Sequence, residues 1–118
     1  MKSFITALSV FFVMLAGIIT HMVYANTVTD KLLSSVESES IVTEEGVKEA
    51  EAYWMKHHIL IHLGVNTTYT DRITAEFTAL KAAIEKQDEN KIAESAALLR
   101  LYISELKKLN KLSLENIL

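Results

Sequence analysis

Hydrophobic positions divide this chain into one long apolar block followed by shorter amphipathic ones. After Lys2 no charged residue occurs until Asp30, and the intervening run is rich in Phe, Ile, Leu, Val and Met. A helix that is apolar on every side has no face to offer to water, so it belongs in lipid or in the centre of a large core. At ~1.5 Å per residue, Phe4–Ala25 spans ~33 Å, enough for a bilayer core of ~30 Å. A helix satisfies its own backbone hydrogen bonds, so such a stretch can cross alone. His21 and Tyr24 stand near its far end, where polar and amphipathic side chains reach the headgroups.

Beyond the block, apolar residues recur at helical spacing. Val28, Leu32, Leu33 and Val36 form a stripe over Thr27–Ser38, either as a separate helix or as a continuation of the first. Ser38, Ser40 and Thr43 interrupt it. A second helix is predicted over Glu44–Leu63. Thr43 suits the N-cap, and Glu44 and Glu45 in the first turn complement the helix dipole. Its stripe is Val47, Ala50, Trp54, His58, Ile61 and Val65, and Gly64 is a natural stop. A third helix is predicted over Tyr69–Lys86, with Thr68 and Asp71 at capping-box spacing. Its stripe is Tyr69, Ile73, Phe77, Leu80 and Ile84. A fourth follows Asp88 and ends near Leu109, with Ile92, Ala96, Leu99, Ile103 and Leu106 on one face and Tyr102 and Leu109 beside it. The connections at Asn66–Thr68 and Gln87–Asn90 are short, so the helices they join are antiparallel neighbours.

Each stripe needs a partner to cover it. The expected fold is therefore all-α: an N-terminal transmembrane helix (1–25) and an exported domain (26–118) folded as a small antiparallel three- or four-helix bundle. The tail Lys111–Leu118 carries Leu112, Leu114 and Ile117, which mark it as a segment that docks on the bundle or on a partner.

Composition narrows the partners. All but one of the 12 basic residues, and all 15 acidic ones, lie after the apolar block. The exported part is thus acidic, which disfavours nucleic acid, and its linear sequence has no basic run beside the membrane for anionic lipid. There is no cysteine and no proline. A small exported domain without disulfides must hold together by packing.

The apolar block admits two fates. One is a permanent anchor, in contact with lipid through residues 4–25. The other is a signal peptide cleaved near Ala25, since Val23-Tyr24-Ala25 offers small residues at the required positions. The anchor is preferred, because the apolar run is longer than a typical signal core. Lys2 and the amino terminus are positive, whereas Asp30, Glu37 and Glu39 follow the span. The positive-inside rule then places the protein as a single-pass cell-membrane protein with its C-terminal domain extracytoplasmic.

The candidates for chemistry are few. His58 and His62 are four apart on one helix, a spacing that puts two imidazoles on one face and can begin a metal site. Residues 59–61 are Ile, Leu and Ile, so there is no His-Glu-x-x-His pattern, and Asp71 or Glu76 would have to complete the ligand set. His58 also fits a packing role beside Trp54. Trp54 is the only tryptophan and reads as a core anchor or a stacking residue, with Tyr53, Tyr69 and Tyr102 as possible groove walls. Glu76 and Glu94 lie near apolar stripes and would need burial to act as an acid–base pair. No nucleophile elbow, phosphate loop or cofactor motif is present. Asn66-Thr67-Thr68 matches a glycosylation sequon.

One set of motifs resembles a known family. Trp54, His57, His58 and His62 precede a short hinge, and the Asp88–Lys91 turn enters an Ala/Leu-rich helix. The chain then closes on Leu112-Ser113-Leu114-Glu115-Asn116-Ile117. Together they resemble the DUF4363 family of small bacterial membrane-associated helical proteins of unknown function, along essentially the whole chain. This sequence departs from relatives at Asn66-Thr67-Thr68, where they carry charged residues. The resemblance implies a hydrophobic N-terminal segment and a helical exported part, and no activity. The functional expectation is a noncatalytic membrane-anchored module that contacts an envelope protein or itself. The alternative is an extracytoplasmic small-ligand or metal-binding sensor domain, using His58 and His62.

Overall fold

The computed structural model describes residues 1–62 and 67–117, and the side chains of 60–67 and 113–118 lie outside that description. Four α-helices follow one another: α1 (Lys2–Glu37), α2 (Glu44–His62), α3 (Thr67–Glu85) and α4 (Glu89–Ile117), with a 3-10 turn at Glu39–Val42 between α1 and α2. No strand occurs among the described residues.

α1 is a single helix of 36 residues, ~54 Å long. Thr27–Ser38 is therefore a continuation of the apolar helix and not a separate element. The two parts of α1 have different surroundings. Phe4, Phe11, Phe12, Val13 and Met14 are exposed, whereas Ala25, Val28, Leu32 and Val36 are buried. The division at residue 25 expected from the sequence falls inside this helix, and Tyr24 and Ala25 already belong to the packed part.

The packed part of α1 makes the bundle four-helical. Asp30 pairs with Lys107 at 2.9 Å, and the Arg100 Nε–H donates to the Val36 carbonyl at 2.8 Å, so α4 runs antiparallel to α1. Tyr24 meets His57, and the Lys31 ammonium lies 4.9 Å from the centre of the Tyr53 ring, so α2 is antiparallel to α1 as well. Lys81 bonds Glu51 at 2.8 Å across α2 and α3, and the Arg72 guanidinium lies 5.8 Å from the Tyr102 ring across α3 and α4. The four helices therefore alternate in direction, and α1 closes the ring against both α2 and α4.

The core is the set of stripes brought together. Trp54, Phe77, Leu80, Leu99, Ile103 and Leu106 are fully buried, as are Leu32 and Val36 from α1. Each such aliphatic or aromatic side chain contributes about 1.5–3 kcal/mol by leaving water. Tyr69, Ile84, Ile92 and Tyr102 pack at the margin. Ile41 on the 3-10 turn, in a stretch that reads as an interruption, is buried beneath the distal end.

The connections explain where the helices stop. Thr43 caps α2, its hydroxyl accepting from the Gly46 N–H at 3.0 Å and donating to the Ser40 carbonyl at 2.6 Å. The 3-10 turn thereby crosses so close to α2 that a Cβ at Gly46 would collide with the Ser40 backbone. At the end of α3, Gln87 takes φ 55° and the Asp88 N–H reaches the Ala83 carbonyl at 3.0 Å, a Schellman-type stop. Asp88 then caps α4 by accepting from the Lys91 N–H at 3.2 Å. At the start of α3, Thr68 falls within the first turn, two residues further in than a capping residue would stand.

α4 runs on to Ile117, well past the end expected near Leu109. Asn110 is the reason: its side chain is buried and donates to the Thr29 hydroxyl at 2.9 Å. A residue that reads as a break in the stripe is instead paired across the core, and the helix continues. Leu112, on this extension, is exposed.

Candidate functional site

The residues with chemical potential gather in two places, both held by helix register. The first is the half of the bundle nearest the apolar part of α1. Trp54 is fully buried in the core, and its indole N–H donates to the Thr74 hydroxyl at 2.8 Å. That hydroxyl in turn donates to the Thr70 carbonyl at 3.0 Å. A buried indole needs such a partner, and here a threonine one turn along α3 supplies it.

His57 and His58 are consecutive, so α2 points them about 100° apart. His58 lies 5.8 Å from Trp54, ring centre to ring centre. Its Nδ1 lies 3.1 Å from the Met55 carbonyl, which can only accept, so Nδ1 is the donor of that bond. The ring borders a shallow hollow shared with Ile59, Asp71, Thr74 and Ala75. His58 and Asp71 are thus brought to one place. The side chain of His62, the other half of the expected pair, lies outside the described residues, as do those of Leu114 and Ile117. No group of three or more potential ligands converges among the described residues.

His57 turns towards α1, where its Nδ1 hydrogen-bonds the Tyr24 hydroxyl. Its ring lies 4.6 Å from that of Tyr53. Burial holds the His57 imidazole below its ordinary pKa, and the neighbouring Lys56 and Lys31 lower it further. The cluster joins α2 to α1 at the level where α1 changes from exposed to packed.

The second place is a groove of about 340 Å³ between α3 and α4. Ala79, Ala82 and Ala83 leave its floor low, and Glu76, Glu94, Lys86 and Lys91 ring it. Burial raises the Glu76 pKa, repulsion from Glu94 adds to the rise, and a hydrogen bond from Ser95 and the charge of Lys91 oppose it. Glu76 is half-buried and Glu94 exposed. The two acids are therefore neighbours across a helix pair, which their positions eighteen residues apart do not reveal. Two like-charged carboxylates can share a proton or attract a cation.

The helix register, the single long apolar helix and the Trp54–His57–His58 cluster coincide with a family assignment. The chain belongs to the DUF4363 family, a domain of unknown function, whose model matches residues 16–117. The match begins inside the apolar part of α1 and runs to the last turn of α4. No curated protein and no solved structure matches the chain.

Proposed function

We propose that the protein is a single-pass, membrane-anchored helical module without catalytic activity, whose extracytoplasmic bundle contacts an envelope protein or a second copy of itself. The observation that carries this reading is the division of α1. One unbroken helix is apolar and exposed over its first half and locked into the bundle over its second. Any orientation of the bundle is thereby transmitted directly to the anchor. The side chains with chemical potential also support it, since Trp54, His57 and His58 are each engaged in packing or hydrogen bonds that join helices or turns.

The test is crosslinking of the full chain in its native membrane. A specific heteromeric or homodimeric product is expected. A chain that stays monomeric and captures no specific product contradicts the reading.

A second reading, a metal-binding sensor, draws on one observation: His58 and Asp71 border the same hollow. Titration of the purified chain with zinc distinguishes it. Stoichiometric binding lost in His58→Ala favours the sensor, and absence of binding removes it.

A further inference from the structure

The register of the bundle on α1 fixes how far the bundle stands from the apolar segment. Full burial on α1 starts at Ala25, and Ile19, His21, Met22 and Tyr24 are half-covered before it. Between the Lys2 charge and His21, the uncharged stretch Ser3–Thr20 is ~27 Å long, no more than a bilayer core of ~30 Å. No length of helix is left to serve as a stalk. The end of the bundle that carries Tyr24 must lie in the headgroup layer.

That end differs from the rest of the surface. His57 is bonded to Tyr24, so Lys56 and Ile59 on the same stretch of α2 lie at the level of the membrane boundary. Asn110 is bonded to Thr29, so Lys111 and Leu112 lie about one turn from that level. Ile59 is 64% and Leu112 55% exposed, the two most exposed large aliphatic side chains beyond the apolar block among the described residues.

The same end collects positive charge from helices distant in sequence. Lys31, Lys56, Lys107, Lys108 and Lys111 come within about 11 Å of the Tyr24 level along α1. That is close to the Debye length of about 8–10 Å, so they act on headgroups together. Among the described residues the carboxylates at these levels are Asp30, paired with Lys107, Glu105, paired with Lys108, Glu51, paired with Lys81, and Asp71 on α3; Glu115, whose side chain lies outside the described residues, falls at the same end of α4. Lys56 and Lys111 have no ion pair among the described residues. The opposite end carries the excess of acids, including Glu37, Glu39, Glu44, Glu45, Asp88 and Glu89. The linear sequence has no basic run beside the membrane, but the fold assembles one.

We infer that this basic end, with Ile59 and Leu112 at its rim, is a lipid-contacting face that seats the bundle on anionic headgroups of the leaflet that α1 enters. The inference rests on the anchoring proposed above. Lipid is the neighbour continuous with this face, because the helix that leaves it is, among the described residues, the one long and apolar enough to cross a membrane. Charge complementarity selects anionic over neutral headgroups. The division of labour follows: the acidic end is left facing away from the lipid.

The chain has no cysteine, so single reporter sites are clean. The test places a fluorophore on Ile59→Cys, Leu112→Cys or, as distal control, Val42→Cys in the full chain. Each is reconstituted in phosphatidylcholine vesicles with or without one third phosphatidylglycerol, using headgroup-labelled quencher lipid. Quenching at 59 and 112 several-fold above that at 42 is expected, larger with phosphatidylglycerol, and the gain should be lost in Lys56→Glu/Lys111→Glu. All five sites are exposed, so these variants keep the fold, and circular dichroism checks it. Quenching at 59 and 112 no greater than at 42 in vesicle-bound chain overturns the seating. Equal quenching in both vesicles overturns the choice of anionic lipid. Failure of the chain to float with vesicles overturns the anchoring, and the seating with it.

Discussion

The two halves of α1 share one backbone and meet opposite surroundings. Over Ser3–Thr20 the side chains are mostly apolar on all sides and most are exposed; from Tyr24 to Glu37 the aliphatic residues narrow to Ala25, Val28, Leu32, Leu33 and Val36, of which Leu33 is half-buried and the rest are buried. A helix needs a partner only along the stripe it cannot expose. The first half has no polar face and therefore requires an apolar surrounding on all sides, whereas the second half has one and requires only two neighbours. Lys31 and Ser35 on the second half turn to solvent or to α2, and five turns earlier on the same face stand Val13 and Gly17. The comparison teaches that the change of surroundings is written in the width of the stripe, not in any break of the helix.

Substitutions can break this contrast, and the largest effect is expected from equal truncations in the two halves. Leu32→Ala should cost about 2–5 kcal/mol of bundle stability, because the site is fully enclosed. Leu8→Ala should leave thermal unfolding of the bundle in detergent unchanged. Equal losses at the two positions would mean that the first half is packed as well.

Glycines provide a second pair. Nothing lies within 4 Å of a Cβ at Gly17, whereas one at Gly46 meets the Ser40 backbone. Gly46→Ala should destabilise by about 1–3 kcal/mol, against the usual gain of alanine in a helix, and Gly17→Ala should not change the melt.

The buried polar pair that ties the second half to α4 comes next. Thr29→Val leaves the Asn110 amide unpaired and should cost about 1–3 kcal/mol, and pairing it with Asn110→Leu should recover most of the loss. A double-mutant cycle in chemical denaturant measures both.

The smallest effect concerns the junction itself. The folded protein holds His57 below its ordinary pKa, so near and below about pH 6.5 the unfolded chain binds the proton more readily. Stability from this group is complete above that pH and declines on acidification towards the folded-state value. His57→Gln should flatten that part of the pH profile, and melts from pH 7.5 to 5.5 would show it.

Much of the fold was legible because α2, α3 and α4 carry unbroken stripes. Val47, Trp54, Ile73, Phe77, Leu99 and Ile103 occupy the core positions that their spacing implies. The length of α4 was not, because Asn110 resembles a solvent-facing residue and only its partner Thr29, 81 positions away, shows why it is buried. Ile41 was hidden for the opposite reason, since it and Val42 form a lone apolar pair between Ser40 and Thr43 with no periodicity around them. The approach of Glu76 to Glu94, the bond from His57 to Tyr24 and the gathering of lysines at one end depend on how the helices register, which spacing within one helix does not encode.

The direct test of the divided helix is the mass of the mature protein recovered from its native membranes. The account predicts an intact chain that retains Lys2–Tyr24 and stays in the membrane fraction, since Tyr24 and Ala25 are part of the bundle that a cut after Ala25 would disrupt. A chain that begins at Asn26 and is recovered in the soluble fraction would contradict it.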